Sequence, residues 1–319
     1  MGPGIDTNNT AEKEKAFLAS IENVYPQTRS YYRGIDILKD GRIICYDYLS
    51  KEVKLYKYID NKFILDFEFL IDHVDCGATS LYEVEENIIL FGSYQRIFLY
   101  DIRDNQAKLI QTIEFNYMNY VIQFNKLSNG LIAATNCIDI IFYKYDEQTK
   151  KIEKIDEIKT GRAVDKFFET NEGNIVVFSN KEIFLYDKNK NIQTRINIDK
   201  DIPSFNFLDG EYIFVSSRES QNSSFKFNLD VYNIKNFRLM QTLEVKYYLV
   251  KFLKLKDNLL IVADTFGNIH EINIDKDFKL SVKDIFRAHD NPISDMHKFD
   301  DNKVLSISHD GKIKLWEFN

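Results

Sequence analysis

The last stretch of the chain, Arg287–Asn319, has the sequence RAHDNPISDMHKFDDNKVLSISHDGKIKLWEFN and decides the fold. It contains three short runs rich in apolar residues, separated by two turns. Asp310-Gly311 between two such runs is a strong hairpin signal, because these residues accept the positive φ of a tight turn. The stretch therefore predicts three antiparallel strands, at Ile293–Phe299, Val304–Ser308 and Lys312–Phe318.

The composition favours an all-β protein. Of the 319 residues, 44% are hydrophobic, and 25 Phe and 19 Tyr recur in short runs with few helix signals. Aromatic and β-branched residues favour strands, and this apolar content is enough for a sizeable core. The formal net charge of −7 disfavours nucleic acid and anionic membranes as partners. No apolar run reaches the ~18 residues of a bilayer-crossing segment, and no signal peptide opens the chain.

The three cysteines, Cys45, Cys76 and Cys137, lie far apart in the sequence. An odd and sparse count fits a reducing compartment better than a disulfide framework, so we expect a cytoplasmic protein. Residues 1–12 are expected to be a loose leader that begins with a remnant of cloning, MGPG. Residues 13–319 are expected to form one domain.

A unit recurs along the chain. Each unit has a turn containing Gly or Asn, followed about 13–15 residues later by a large apolar residue. In the fifth unit the gap is about 22 residues, with the extra residues around Arg218–Ser224. The turns are Asp40-Gly41, Glu86-Asn87, Asn129-Gly130, Glu172-Gly173, Asp209-Gly210, Asp257-Asn258 and Asp301-Asn302. The apolar residues are Tyr56, Tyr100, Tyr143, Tyr186, Tyr232, Ile272 and Trp316. Their spacing of about 40–46 residues is typical of a four-stranded propeller blade.

The residues of the last unit carry a family resemblance. Ala288-His289, Ser308-His309-Asp310-Gly311 and Leu315-Trp316-Glu317 resemble the Gly-His … Ser-x-Asp-Gly … Trp-Asp pattern of the WD-repeat β-propeller family. With the period, the resemblance implies a seven-bladed β-propeller of four-stranded antiparallel blades. It also implies that Ala16–Val24 completes the last blade and closes the ring. The alternative is that Ala16–Val24 forms a short helix outside the ring.

The resemblance further implies a buried hydrogen-bonded chain in the last blade, formed by His289, Ser308, Asp310 and Trp316. A Ser–His–Asp set is also found in nucleophilic catalysis, but the sequence contains no nucleophile elbow. In the other units, different residues stand at the position of Asp310. Packing is therefore expected to hold those blades together.

In the family, partners dock on the face formed by the inter-blade loops and the turns between second and third strands. Tyr and Arg are enriched at interface hot spots. The candidate partner-binding residues on this face are Tyr32, Arg33, Tyr120, Arg162, Arg218, Tyr248 and His309. Of these, Arg33, Arg162 and Arg218 are expected together to receive a phosphorylated or acidic segment.

We thus expect a non-enzymatic scaffold or adaptor that binds proteins or peptides, including phosphorylated or ubiquitin-type partners, with a monomeric propeller. Two alternatives stay open. One is an architectural subunit that uses the sides or the bottom of the propeller. The other is an enzyme with a site in the central channel, for which Asp36, Asp165 and Asp295 are the candidate carboxylates.

Neither a metal nor a cofactor is expected. His73 and Cys76 have the spacing of half a zinc site, but no second pair follows. The segment that starts at Asp187 opens like a calcium loop. However, Ile192 stands where the loop needs Gly, and Ile198 where it needs Glu. A solvated hairpin tip accounts better for this segment.

Overall fold

The computed structural model describes residues 16–22, 24, 33–71, 77–115, 120–179, 182–198, 206–221 and 224–318. Within these ranges, twenty-eight strands form seven four-stranded antiparallel sheets. Helix is limited there to the 3-10 turn Arg103–Asn105, and no helix of the described chain has the length and hydropathy to cross a bilayer. The predicted all-β, seven-bladed propeller is confirmed. The predicted leader, residues 1–12, lies outside the described ranges.

The blades follow one another along the chain, and strand β1 (Ala16–Ile21) belongs to the last of them. Blade 1 contains β2 (Arg33–Ile37), β3 (Ile43–Asp47), β4 (Glu52–Ile59) and β5 (Lys62–Leu70). Blade 2 contains β6 (Ser80–Glu85), β7 (Ile88–Gly92), β8 (Arg96–Asp101) and β9 (Lys108–Glu114). Blade 3 contains β10 (Gln123–Lys126), β11 (Ile132–Thr135), β12 (Asp139–Asp146) and β13 (Lys151–Lys159). Blade 4 contains β14 (Lys166–Glu169), β15 (Ile175–Ser179), β16 (Glu182–Tyr186) and β17 (Ile192–Asn197). Blade 5 contains β18 (Asn206–Asp209), β19 (Tyr212–Gln221), β20 (Ser224–Asn233) and β21 (Leu239–Val245). Blade 6 contains β22 (Leu249–Lys256), β23 (Leu259–Asp264), β24 (Asn268–Ile274) and β25 (Leu280–Arg287). Blade 7 contains β26 (Ile293–Lys298), β27 (Lys303–Ser308), β28 (Ile313–Glu317) and β1.

The first strands of neighbouring blades approach one another, as β26 does with both β22 and β2. These strands therefore line the centre of the ring, and the fourth strands form its outer edge. In the fifth blade, the extra residues lengthen the hairpin of β19 and β20, which pair from Tyr212 to Asn233.

Strand β1 closes the ring. It pairs antiparallel with β28, with Phe17 opposite Trp316 and Ile21 opposite Ile313. Beyond the strand, the backbone N–H of Val24 donates a hydrogen bond to the carbonyl of Gly311 at 2.8 Å. The predicted closure is confirmed and the helix alternative is wrong, although the strand ends at Ile21 rather than Val24.

The apolar core consists of seven clusters in the described chain, one between each pair of neighbouring blades. The second strands are buried on both faces, since alternate side chains enter different clusters. In β7, Leu90 packs toward blade 3, whereas Ile89 and Phe91 pack toward blade 1. One cluster joins Leu305 of blade 7 to Ile35 of blade 1, so the packing is continuous around the ring.

The seven repeated apolar residues all lie on third strands and are buried, as the period predicts. Next to each of them, the pairing with the outer strand shifts by one residue. Opposite Leu55 and Tyr56, for example, β5 supplies Phe67 and Leu65, and Asp66 is the extra residue. A bulge of this kind increases the local twist of a strand. Every blade thus carries the same distortion at its outer edge.

Removal of residues 1–21 is predicted to destabilise the propeller. It leaves β28 as an open edge and exposes one face of Trp316, and we expect a loss of about 2–4 kcal/mol, or a Tm lower by about 5–10 °C. Thermal unfolding followed by circular dichroism measures this. The matched control is removal of residues 1–15, which leaves β1 in place. Equal Tm values for the two truncated chains would contradict the role given to β1.

Candidate interaction surface and central channel

The antiparallel blades give the propeller two unlike faces. The loop face carries the inter-blade connections and the turns between second and third strands. The turn face carries the turns between first and second strands and between third and fourth strands. Among the described residues, the partner-binding candidates Tyr120, Arg162, Tyr248 and His309 lie in the connections of the loop face, and Arg218 lies in the long hairpin that extends toward it.

Three tyrosines from different segments meet on the loop face, and we call them the tyrosine cluster: Tyr48, Tyr94 and Tyr120. The Tyr120 ring centroid lies 5.0 Å from that of Tyr94 and 5.8 Å from that of Tyr48. A backbone bridge also joins Tyr94 to Tyr120. Such contacts between half-buried rings hold the side chains in place while part of their surface stays available. Tyr120 is predicted from the sequence, whereas Tyr48 and Tyr94 are not, because the three rings come together only when blades 1 to 3 are assembled.

The turn beside the cluster presents an apolar side chain to solvent. The buried Asp47 carboxylate accepts hydrogen bonds from the backbone N–H groups of Leu49 and Ser50, at 2.9 and 2.8 Å, and so fixes the turn. Leu49 at its tip is 55% exposed. An exposed aliphatic residue beside rigid aromatic rings is typical of a surface that binds proteins.

Arg162 belongs to a second group on this side of the ring. Its guanidinium and that of Arg195 both pair with the Glu182 carboxylate, and the two lie 4.7 and 5.7 Å from the Phe184 ring centroid. Although burial opposes it, the hydrogen bonds from Arg195 and Arg162 lower the pKa of Glu182. Two cations thus share one carboxylate, which leaves an excess of positive charge on a rigid platform.

The other candidates have separate surroundings. Arg218 lies over the Phe225 ring at 4.7 Å, and Tyr248 packs edge-on against Phe227 at 6.0 Å. The backbone N–H of His309 donates to the carbonyl of Pro292 at 3.1 Å. Tyr32 lies outside the described residues; Arg33 begins β2, but its side chain is not described. Arg162 shares the carboxylate of Glu182 with Arg195, whereas Arg218 lies over the Phe225 ring.

The last blade contains the hydrogen-bonded chain, with one serine different from the prediction. His289 Nδ1 lies 3.0 Å from Asp310 Oδ2, and its Nε2 lies 2.7 Å from Ser306 Oγ. Trp316 Nε1 donates to the same Ser306 oxygen at 2.9 Å. The assignment of Ser308 to this chain is wrong. Both serines point to the same side of β27, but only Ser306 is level with the indole nitrogen.

Ser308 instead fixes the turn that follows β27. Its Oγ donates to the carbonyl of Asn291 at 3.0 Å and accepts the N–H of Asp310 at 3.2 Å. Asp264 has the corresponding role one blade earlier, where its carboxylate accepts the N–H groups of Phe266 and Asn268. A polar residue at the end of the second strand is therefore a recurring turn cap.

Other blades have buried polar chains of their own, so the expectation that packing alone holds them is wrong. In blade 5, the buried Asp230 accepts hydrogen bonds at 2.6 Å from Ser217 on one neighbouring strand and from Thr242 on the other. In blade 6, His270 Nε2 lies 2.8 Å from the Asp264 carboxylate, and both residues are fully buried. These chains could not be predicted from the sequence, because the residues involved differ from the family pattern.

Asp310→Ala is predicted to lower stability by about 1–3 kcal/mol, a Tm decrease of several degrees, because it removes the acceptor for the buried His289. Burial raises the pKa of Asp310, but the hydrogen bond and charge of His289 outweigh it and lower the pKa to about 2. The carboxylate therefore stabilises the fold above its ordinary pKa of about 3.9, and this contribution is lost as the pH falls toward 2.

The stability difference between wild type and Asp310→Asn should accordingly shrink as the pH falls from about 4 to about 2. Urea unfolding at several pH values measures it. Asp301→Ala, at a nearly fully exposed position in the same blade, is the control and should change little. A difference that is the same at every pH would show that the Asp310 charge does not contribute.

A row of charges lies along the first strands, at the wall of the central channel. Asp36 of β2 pairs with His297 Nε2 of β26 at 2.8 Å. Asp295 of β26 pairs with Lys251 of β22 at 3.1 Å, and its other oxygen accepts the N–H of Ile35 at 3.4 Å. These contacts join blades 6, 7 and 1 around the point where the ring closes.

Across the channel, Lys166 begins β14 of blade 4. Burial and the nearby Lys251 lower the pKa of Lys166 to about 7, against the opposing effect of Asp295. The third sequence-predicted carboxylate, Asp165, acts instead on the thiol of Cys137, whose pKa is raised by burial and by this charge. Of the three aspartates proposed for a channel enzyme, the structure joins Asp36 and Asp295 to one charged row and gives Asp165 different surroundings.

The pair of His297 and Asp36 is predicted to make stability fall as the pH rises above about 6.5. Burial opposes it, but the hydrogen bond and charge of Asp36 raise the pKa of His297 above its ordinary value of about 6.5. Its contribution is complete below about pH 6.5 and is lost as the pH rises through the raised pKa. The imidazole is 40% exposed, so we expect less than about 1 kcal/mol. Urea unfolding of His297→Gln should lack this decrease in stability with rising pH; retention of the wild-type profile would assign the decrease to another group.

The segment that starts at Asp187, which opens like a calcium loop in sequence, forms the turn between β16 and β17 in the structure. Asp187 accepts hydrogen bonds at 2.8 Å from the N–H of Asn191 and the side chain of Gln193, as expected of a hairpin tip. Among the described residues, no group of three or more His, Cys, Asp or Glu is arranged to hold a metal ion. His73 and Cys76 lie outside the described ranges.

The structure resembles solved propellers of very different sequence. A chain of the mitotic checkpoint complex is 9% identical, with 100% of this chain and 97% of that chain covered at a TM-score of 0.76. The WD40 domain of Neurospora crassa Pan2 is 11% identical, with 94% of each chain covered at a TM-score of 0.71. Saccharomyces cerevisiae Sqt1 is 11% identical, with 89% of this chain and 83% of that chain covered at a TM-score of 0.65. No family model and no curated protein sequence matches the chain. The likeness to these structures shows the β-propeller fold.

Proposed function

We propose that this propeller is a non-enzymatic interaction domain that binds a protein or peptide partner on its loop face. The observation that carries the proposal is the tyrosine cluster beside the exposed Leu49. Rings fixed by one another lose little conformational freedom when a partner covers them, and large amphipathic rings are typical of interface hot spots.

The pair of Arg162 and Arg195 supports a finer proposal about the partner. Both guanidiniums are held against the Phe184 ring and share the single carboxylate of Glu182. An acidic or phosphorylated side chain of the partner would balance the excess positive charge through charge-assisted hydrogen bonds. We propose this pair in place of the group Arg33, Arg162 and Arg218 that the sequence favoured.

The similar structures support a role in binding proteins by analogy of fold. One of them is a chain of the mitotic checkpoint complex, which is a multi-component assembly by its name. Fold alone does not fix function, so the surface residues carry the argument. We also propose that the chain works in a reducing compartment, in line with its described free thiols at Cys45 and Cys137.

Affinity purification of the tagged protein from its source cells, with quantitative mass spectrometry, tests the loop-face proposal. Tyr120→Ala and the double variant Arg162→Gln/Arg195→Gln should each reduce the recovery of specific partners at least about tenfold, as expected for the loss of a hot-spot residue. Tyr248→Ala tests whether the binding surface extends to blade 6.

The matched controls lie on the turn face. Tyr58→Ala and Arg238→Ala remove the same residue types, and the Tm of every variant is measured to exclude unfolding. If the loop-face variants keep all partners while turn-face variants lose them, the proposal is wrong and an architectural role through the other face is favoured.

A further inference from the structure

A cleft of about 390 Å³ opens on the turn face between blades 3 and 4. Its floor is apolar and contains Leu127, Phe142 and Ile175, whose side chains belong to the cluster between these two blades. Ile155, at the bulge of the outer strand β13, forms a wall and is 51% exposed. The cleft therefore reaches down to the edge of the buried inter-blade core, and its size lies within the range of ligand pockets.

The rim of the cleft is acidic. The rim contains four carboxylates and two ammonium groups, so its negative groups outnumber its positive ones. The carboxylates belong to Asp156, Glu169, Glu172 and Asp187, and the ammonium groups belong to Lys188 and Lys190. The Lys190 ammonium is already engaged, since it pairs with Asp156 and lies 5.8 Å from the Phe142 ring centroid. Backbone N–H groups lower the pKa of Asp187, which keeps this carboxylate charged.

Two rim carboxylates are held at fixed positions. The Glu169 oxygens accept hydrogen bonds from the N–H and the hydroxyl of Ser128, at 2.6 and 2.8 Å, across the junction of the two blades. Asp187 is fixed by Asn191 and Gln193. Glu172 is exposed, at the tip of the turn that separates this cleft from a second one of about 320 Å³ between blades 4 and 5. The two clefts share Asn171 and Glu172, so a segment that crosses this turn contacts both.

We propose that this pair of clefts binds an extended segment of another protein in which apolar side chains are flanked by Lys or Arg. The apolar side chains enter the clefts, and the basic side chains meet the carboxylates of the rim. Apolar anchors supply most of the affinity in such a mode, whereas the charges select the partner and its orientation. This site lies on the face opposite the tyrosine cluster and does not depend on the function proposed for that cluster.

Fluorescence anisotropy with two labelled synthetic peptides tests the site. One peptide carries leucines flanked by lysines, and the other has glutamate in place of every lysine. The lysine peptide should bind at least about tenfold more tightly, and added salt should reduce this advantage, as expected for exposed charges.

Single substitutions then locate the binding. Ile155→Ser and Glu172→Lys should each weaken binding of the lysine peptide about tenfold, and both positions are exposed enough to leave the fold intact. The matched controls are Ile285→Ser, an exposed isoleucine on blade 6, and Asp277→Lys, an exposed carboxylate on the turn face of blade 6. Tyr120→Ala should leave this binding unchanged, which separates the site from the loop face.

Equal binding of the two peptides would overturn the proposal, as would unchanged binding in both Ile155→Ser and Glu172→Lys. If the controls weaken binding as much as the cleft variants, the attraction is only that of the net charge and the proposal is wrong. If sedimentation shows that the protein self-associates and that Ile155→Ser abolishes this, the occupant is a second copy of the chain and the proposed partner is wrong.

Discussion

Apolar packing between neighbouring blades is the interaction on which the structure depends. A four-stranded sheet with two apolar faces is insoluble alone, because water would meet both faces. Here the second strands show this requirement most directly. Ile88–Gly92 in blade 2 is buried throughout, and its alternate side chains enter two different clusters. Each blade is therefore stable only between two others, and the seventh must meet the first.

Two features close the ring, an apolar cluster between the last and first blades and a pairing of strands within the last blade. The apolar cluster between blades 7 and 1 joins Leu305 to Ile35, and β1 supplies the outer strand of blade 7 by pairing with β28. The charged row of Asp36, His297 and Asp295 crosses the same junction at the channel wall. Packing provides the stability at this junction, whereas the partly exposed ion pairs add little free energy and fix the register of the first strands.

Buried polar chains within the blades are more varied than the apolar framework. Blade 7 uses His289, Ser306 and Trp316, while blade 5 uses Asp230 between two hydroxyls. An apolar cluster tolerates many residue combinations of similar volume, but a buried donor needs an acceptor at a defined distance. This difference explains why the period of the apolar residues survives along the whole chain while the polar pattern of one blade does not.

The two faces of the ring present different chemistry. The loop face combines the tyrosine cluster with two arginines that share one carboxylate, whereas the turn face opens a cleft with an apolar floor and an acidic rim between blades 3 and 4. The faces are therefore suited to partners of unlike charge. The two proposed sites lie on opposite faces, so neither proposal requires the central channel.

The sequence alone determined the number of blades, the four strands of each and the closure by the N-terminal strand. These features follow from the positions of apolar residues and turns, which are local properties that recur at a fixed spacing, together with the resemblance of the last unit to the WD-repeat pattern. It also located the long hairpin of blade 5 and the buried positions from Tyr56 to Trp316. Only the tertiary structure decided which side chains meet: Ser306 rather than Ser308 beside the indole, Arg195 rather than Arg218 beside Arg162, and Tyr48 and Tyr94 around Tyr120. Those contacts join residues from different strands or blades, and their geometry depends on the twist, the bulges and the packing of the whole ring, which no local pattern records.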